Sequence, residues 1–154
     1  MECSKNRLIH IIDDNPFIRE FLAELVESCE YIVECFSNPT DYLEKVNSDS
    51  FIQPVATFVD VIMPNMNGYE MIGALHPANP EMKFVIMSGE LDIRDENKHL
   101  VCMFLRKPFY PTCVQEVLEK LSRCHSCGAS PDIGCASSDH RGYYDLKAWS
   151  CPQQ

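Results

Sequence analysis

Short apolar runs alternate along the chain with segments of helical periodicity, and this alternation constrains the fold more than any other feature. The apolar runs are residues 8–12, 31–36, 55–59, 84–87 and 101–105. Helical segments begin near Pro16, Pro39, Tyr69 and Pro111, whereas residues 91–100 are polar and predict a poor helix at best. Five strand-then-helix repeats predict an α/β fold, in which a doubly wound five-stranded parallel sheet is covered by helices on both faces.

Polar side chains follow four of these strands at the point where each strand ends. Asp13 and Asp14 follow the first strand, Asp60 the third, Ser88 the fourth and Lys107 the fifth. Because parallel strands end at the same edge of a sheet, these five side chains are expected to converge there.

Taken by itself, Asp60 has a second interpretation. It precedes a turn rich in Pro and Gly, Met63-Pro64-Asn65-Met66-Asn67-Gly68, and an aspartate at such a place can have the purely structural role of capping the turn. The other residues at the same edge favour a chemical role for Asp60. Three crowded carboxylates call for a cation, and Mg²⁺ is usually held by carboxylates together with phosphate oxygens. Asp60 can then attack a phosphoryl group, while Lys107 and the Ser88 hydroxyl stabilise the charge on its oxygens.

Composition limits the classes of function. The chain has 154 residues and a formal net charge of −10, which argues against nucleic-acid binding through a basic face. It contains no apolar run of membrane-spanning length and no signal-peptide pattern at the N-terminus, so a cytoplasmic location without membrane insertion is expected. The nine cysteines are therefore interpreted as thiols or metal ligands rather than as a disulfide framework.

The motifs together closely resemble the receiver domain of two-component response regulators, a flavodoxin-like fold with strand order 2-1-3-4-5. The resemblance covers residues 7–121. It rests on Ile12-Asp13-Asp14-Asn15, Val59-Asp60-Val61-Ile62-Met63-Pro64-Asn65-Met66-Asn67-Gly68, Met87-Ser88-Gly89 and Leu105-Arg106-Lys107-Pro108-Phe109.

The resemblance implies a role for each rim residue. Asp60 would accept a phosphoryl group from the phosphohistidine of a sensor histidine kinase or phosphotransfer protein. Asp13 and Asp14 would hold Mg²⁺ together with Asp60 and the Ile62 carbonyl. The expected protein is a switch rather than an enzyme, and it acts on a downstream protein partner, with a homodimer as one form.

A second set of residues would carry the switch. Ser88 occupies the switch hydroxyl position, Lys107 pairs with the phosphoryl group, and Phe104 stands where the family carries its switch aromatic, although the residue by itself could be an ordinary core phenylalanine. Ile62 and Glu90 flank the expected approach of hydrolytic water. Because Ile62 is apolar and cannot orient water, the phosphorylated state is expected to be long lived.

The C-terminal part differs in character, so the chain is divided into a receiver domain at residues 1–122 and a cysteine-rich tail at 123–154 that contains no recognisable DNA-binding output domain. One interpretation of the tail is a zinc site. The candidate zinc ligands are Cys124, Cys127, Cys135, His140 and Cys151. Alternatives are a flexible tail with free thiols, or packing of Tyr143, Tyr144 and Trp149 back onto the domain.

Two other functions compete with the signalling switch. A phosphatase with a carboxylate nucleophile should carry an acid two residues after Asp60, where Ile62 stands. A metal-sensing or redox-sensing adaptor would act through the cysteine-rich tail and leave the receiver incidental.

Overall fold

The computed structural model describes residues 7–89 and 100–123, together with the backbone of residues 143–145. The strands are β1 (Leu8–Ile12), β2 (Ile32–Phe36), β3 (Ala56–Asp60), β4 (Phe84–Ser88), β5 (Met103–Arg106) and β6 (Tyr143–Asp145). The helices are α1 (Pro16–Ser28), α2 (Pro39–Val46), α3 (Gly68–Leu75) and α4 (Pro111–Arg123).

The strands form one sheet in the order β2-β1-β3-β4-β5-β6. Neighbouring strands among the first five are parallel to each other, which confirms the predicted doubly wound sheet and its order 2-1-3-4-5. The sixth strand was not predicted as a strand, and it pairs antiparallel with β5. The weak helix considered at 91–100 falls, except for its last residue, outside the described part of the chain.

Alternating strand residues divide the core into two apolar layers, one on each face of the sheet. Ile11 and Phe58 lie in the layer that contains apolar residues of α1 and α4, whereas Ile12 and Val59 lie in the layer that contains residues of α2 and α3. All four side chains are fully buried. Each large apolar side chain buried in this way contributes roughly 1.5–3 kcal/mol, so the register that places polar Asp60 at the strand end is fixed by its apolar neighbours.

Asparagine caps begin three of the helices. Asn15, Asn38 and Asn67 precede α1, α2 and α3, and each side-chain oxygen accepts a hydrogen bond from a backbone N–H of the first turn. A cap of this kind contributes about 1 kcal/mol. Two of them follow segments that carry carboxylates: Asn15 comes after Asp13-Asp14, and Asn67 closes the turn after Asp60. These caps therefore fix where the chain leaves the rim of the sheet.

His10 lies in the middle of β1 and is fully buried, as expected for a core histidine. Its Nδ1 atom is 2.9 Å from the Tyr42 hydroxyl, which is 2.9 Å from Thr57 Oγ1. Its Nε2 atom is 3.5 Å from a carboxylate oxygen of Glu34. This network connects β1 to α2 and β3. Burial lowers the pKa of His10 to about 4, although the nearby Glu34 carboxylate partly opposes the shift.

Among the described helices, none has both the length and the apolar character that a membrane crossing requires.

The buried histidine predicts a loss of stability in mild acid. The unfolded chain binds a proton at His10 near the ordinary pKa of 6.5, whereas the folded chain resists protonation until about pH 4. The contribution of neutral His10 to the free energy of unfolding is therefore fully present above the pKa of 6.5 in the unfolded chain, and it is lost as the pH falls towards 4. Between pH 7 and pH 5 we expect the parent to lose about 2 kcal/mol more than a His10→Gln variant, measured by urea unfolding. His76→Gln, at the end of α3, is the control and should behave like the parent; equal losses in parent and His10→Gln would contradict the prediction.

Candidate functional site

Asp60 is held by two elements that meet at the rim of the sheet. It is the last residue of β3, and its side chain is 10% exposed. The first residue of α3, Gly68, packs directly against it: a Cβ atom there would lie 2.5 Å from the Asp60 carbonyl oxygen and 2.9 Å from Val59 Cγ1. The Gly68 N–H also donates to the Val61 carbonyl at 2.9 Å. A larger residue at position 68 would therefore displace the backbone that carries the Asp60 carboxylate.

Asp13 and Asp14 follow β1 at the same rim but differ in exposure. Asp13 is fully buried, and Asp14 is exposed. The Asn15 N–H donates to Asp13 Oδ1 at 2.9 Å, and Arg19 Nη1 donates to the Asp13 carbonyl at 2.8 Å. The start of α1 therefore holds the Asp13 side chain and backbone in place, while the Asp14 carboxylate remains accessible at the mouth of the site.

Lys107 joins the two buried carboxylates. Its Nζ atom donates to Asp13 Oδ2 at 2.9 Å and to Asp60 Oδ1 at 3.0 Å. Its backbone N–H donates to the Ser88 carbonyl at 2.8 Å, which fixes the end of β5 against the end of β4. Asp13, which lies 94 residues before Lys107 in the sequence, and Asp60, which lies 47 residues before it, are thus brought into one hydrogen-bonded group.

The pKa values follow from this arrangement. Burial and then the neighbouring Asp13 carboxylate raise the pKa of Asp60 above its ordinary value, and the hydrogen bond from Lys107 offsets only part of the shift. Burial acts to lower the pKa of Lys107, but its hydrogen bonds to Asp13 and Asp60 outweigh this effect and raise it. Lys107 is therefore a fixed positive charge, and one ammonium does not fully balance the acidic group around it.

The donor set fits a hard divalent cation. Asp13, Asp14 and Asp60 each offer a carboxylate oxygen, and these oxygens lie within 4.8 Å of one another. The under-compensated charge at Asp60 independently favours a bound cation. Oxygen ligands from one or two carboxylates, completed by water or phosphate, are the usual environment of Mg²⁺.

The other residues that the sequence singled out lie in different environments. Ser88 is buried at the end of β4, and Phe104 is buried within β5 in the apolar layer shared with α2 and α3. Ile62 is 70% exposed, two residues after Asp60. The roles of these side chains, and of the Ile62 carbonyl as a metal ligand, stay predictions. Glu90 and the candidate zinc ligands Cys124, Cys127, Cys135, His140 and Cys151 lie outside the described residues.

Sequence reasoning missed an exposed group of aromatic residues beside the site. Phe17 and Phe21 on α1 are 79% and 43% exposed, and Phe21 stacks on Phe109 with ring centroids 6.0 Å apart. Tyr110 follows and is 66% exposed. We call the exposed residues Phe17, Phe21 and Tyr110, together with the buried Phe109 on which Phe21 stacks, the aromatic ridge. The available signal was the four-residue spacing of Phe17 and Phe21, which sets them apart from the stripe of Leu22 and Val26 that enters the core.

Comparison with known proteins agrees with the geometry. Residues 9–119 match the family model described as the response regulator receiver domain. The chemotaxis protein CheY of Thermotoga maritima is 28% identical over 116 residues, an alignment covering 73% of this chain and 95% of that protein. The tetrathionate response regulatory protein TtrR of Salmonella typhimurium is 28% identical over 115 residues, covering 73% of this chain and 54% of TtrR, so the chain spans about half of that relative.

A solved structure, the chemotaxis response regulator CheY4 of Vibrio cholerae, superimposes with a TM-score of 0.67 at 20% identity, covering 76% of this chain and 99% of that one. This likeness supports the fold, and the family match covers the strands that carry Asp13, Asp60 and Lys107. The chain therefore belongs to the response regulator receiver domain family.

Proposed function

We propose that this chain is a signalling switch that accepts a phosphoryl group on Asp60 from a phosphohistidine of a histidine kinase or phosphotransfer protein. The observation that carries the proposal is the bridge formed by Lys107 Nζ, which is 2.9 Å from Asp13 and 3.0 Å from Asp60. This bridge leaves an accessible acidic mouth at Asp14. No other group of three potential metal ligands is found within the described residues.

The chemical step uses the Asp60 carboxylate as the nucleophile. One of its oxygens attacks the phosphorus atom, the P–N bond of the donor breaks, and the leaving imidazole takes up a proton. The product is an acyl phosphate on Asp60. Lys107, already bonded to Asp60 Oδ1, is placed to pair with the phosphoryl oxygens as their charge changes, and its position costs no rearrangement at the moment of reaction.

Asp13, Asp14 and Asp60 are the residues that would hold Mg²⁺. When bound, the ion supplies positive charge that balances the carboxylates and the phosphoryl oxygens. Asp13 is prepared for this task because Asn15 and Lys107 fix its two oxygens in place. Asp14 contributes an exposed carboxylate, which can exchange water for metal without opening the core.

Ser88 and Phe104 are the proposed switch pair. Ser88 ends β4, and its carbonyl accepts the hydrogen bond from Lys107 N–H. Phe104 lies three residues before Lys107 on β5. A phosphoryl group adds about 1.5–2 negative charges at neutral pH, which attract Lys107 and the Ser88 hydroxyl. The resulting shift of β4 and β5 would change the packing of Phe104 and the surface that a downstream protein recognises.

The aromatic ridge is the proposed docking surface for the phosphohistidine protein. It is close to the site in sequence: α1 begins at Pro16, two residues after Asp14, and Phe109 follows Lys107 by two residues. The exposed side chains of Phe17 and Phe21 lie on the helix that follows Asp13 and Asp14, whose carboxylates do not favour nucleic acid or an anionic membrane surface. A helical donor that presents its phosphohistidine from an apolar face fits both features, because the ridge would hold the face while the phosphoryl group enters the mouth.

The proposal predicts phosphorylation by a small phosphodonor. Acetyl phosphate with Mg²⁺ should add one phosphoryl group to the parent chain, measured by intact mass. Asp60→Asn should abolish the addition because the nucleophile is lost, and removal of Mg²⁺ by a chelator should do the same. Asp49→Asn, which changes an exposed aspartate in the turn after α2, is the control and should be labelled like the parent. Undiminished labelling of Asp60→Asn would refute the proposal.

Ile62 predicts a slow loss of the phosphoryl group. An asparagine at this exposed position could orient the attacking water, so Ile62→Asn should shorten the lifetime of the phosphorylated state by about tenfold, a change of about 1.4 kcal/mol in the barrier. The decay is measured by mass after the phosphodonor is removed. Ile52→Asn is the matched control, because Ile52 is 67% exposed and precedes β3 at the opposite end from Asp60. A faster loss from the parent than from Ile62→Asn would show that the side chain does not act in this way.

The docking surface predicts a difference between protein and small-molecule donors. Phe17→Ala and Phe21→Ala should each lower kcat/KM for transfer from a phosphohistidine protein by about tenfold, because exposed aromatic residues at an interface commonly contribute more than 1 kcal/mol. Labelling by acetyl phosphate should remain unchanged. Ile32→Ala is the control, since Ile32 is 68% exposed at the start of β2, at the other end of the sheet. Equal effects on both donors would point to a disturbed fold instead of a lost contact.

A further inference from the structure

The sixth strand covers an edge that the first five strands would leave open. Residues 143–145 pair antiparallel with β5, with Met103 opposite Asp145, Phe104 opposite Tyr144 and Leu105 opposite Tyr143. An antiparallel edge strand on an otherwise parallel sheet is a common arrangement. An uncovered β5 would present its backbone N–H and C=O groups to any extended segment of another chain.

The two edge regions of the five parallel strands differ in the burial of their side chains. At the β2 side, none of the five strand residues is buried. At the β5 side, Met103, Phe104 and Leu105 are at most 2% exposed. The three residues of β5 that pair with β6 are therefore as buried as the residues of the central strands β3 and β4.

The pairing is short and is separated in sequence from the rest of the sheet. β6 has three residues, and residues 124–142 connect it to α4. Bringing together segments that are far apart in sequence has an entropic cost, and three strand positions form few bonds to offset it. β5 is held more strongly on its other side, where four residues pair with β4 and the Lys107 N–H donates to the Ser88 carbonyl. When β5 moves, it should follow β4, and β6 should separate first.

β5 also leads directly to the phosphoacceptor site. Lys107 follows its last residue and contacts Asp60 through Nζ at 3.0 Å. A phosphoryl group on Asp60 would therefore pull on the end of the strand whose other side carries β6. We propose that residues 143–145 are a displaceable cover of the β5 edge, paired while Asp60 is unmodified and released when it is phosphorylated; the release step rests on the proposed function.

The first experiment tests the cover without phosphorylation. In an antiparallel strand, neighbouring N–H groups point to opposite sides, so a Tyr143→Pro/Tyr144→Pro double variant removes a donor towards β5 whichever residue provides it. Hydrogen exchange of the full chain, followed by mass spectrometry of a peptide that contains β5, should be about tenfold faster in this variant than in the parent. Ala136→Pro/Ser137→Pro, with two prolines in the tail outside β6, should exchange like the parent. Equal exchange in parent and both variants would overturn the cover.

The second experiment tests release. The parent treated with acetyl phosphate and Mg²⁺ should show β5 exchange as fast as that of Tyr143→Pro/Tyr144→Pro, whereas treated Asp60→Asn should retain slow exchange. The intact mass of the same sample separates two failures. Phosphorylated parent with slow β5 exchange would overturn release while leaving the proposed function in place. Parent that gains no phosphoryl group would overturn release together with the proposed function, and the cover would then be judged by the first experiment.

Discussion

The site depends on one ammonium group placed between two buried carboxylates. Asp13 is fully buried and Asp60 nearly so, and each would be costly to keep ionised in the interior without a partner. Lys107 contacts both carboxylates within 3.0 Å, which allows them to remain charged and side by side. The compensation is incomplete, because burial and Asp13 still raise the pKa of Asp60. An acidic site with this residual imbalance favours a bound cation.

The sheet explains how three distant segments reach this point. Each apolar strand is fixed in register by the side chains that it buries on two faces, so the polar residue after the strand must lie at the rim. The asparagine caps and the close approach of Gly68 then turn the chain sharply away from the rim. The elements that stabilise the domain therefore also position the reacting groups, and a change in packing at Gly68 would be felt at Asp60.

The same connection links the C-terminal segment to the site. Lys107 lies at the end of β5, and β5 is the strand on which residues 143–145 pair. The residues of β5, Met103–Arg106, and the side chain of Lys107 thus connect Asp60 to the strand at the sheet edge. If the cover is released as we propose, the tail is a part of the switch, and the uncovered edge offers a downstream protein a surface for strand addition.

The sequence by itself determined the local elements and the residues at the rim. Apolar runs and helical periodicity predicted the five parallel strands and the four described helices, because these patterns reflect which side of each element is buried. The alternation also predicted that Asp13, Asp14, Asp60, Ser88 and Lys107 follow strands at a common edge.

Only the tertiary structure decided three further features. That Lys107 contacts Asp13 as well as Asp60 depends on how the end of β5 lies across the sheet, which no local pattern encodes. Phe17 has the spacing of a helical face, but the rotation of α1 against the sheet leaves it 79% exposed. Residues 143–145 carry no strand pattern long enough to recognise, because a three-residue strand is defined by the neighbour with which it pairs and has little stability of its own.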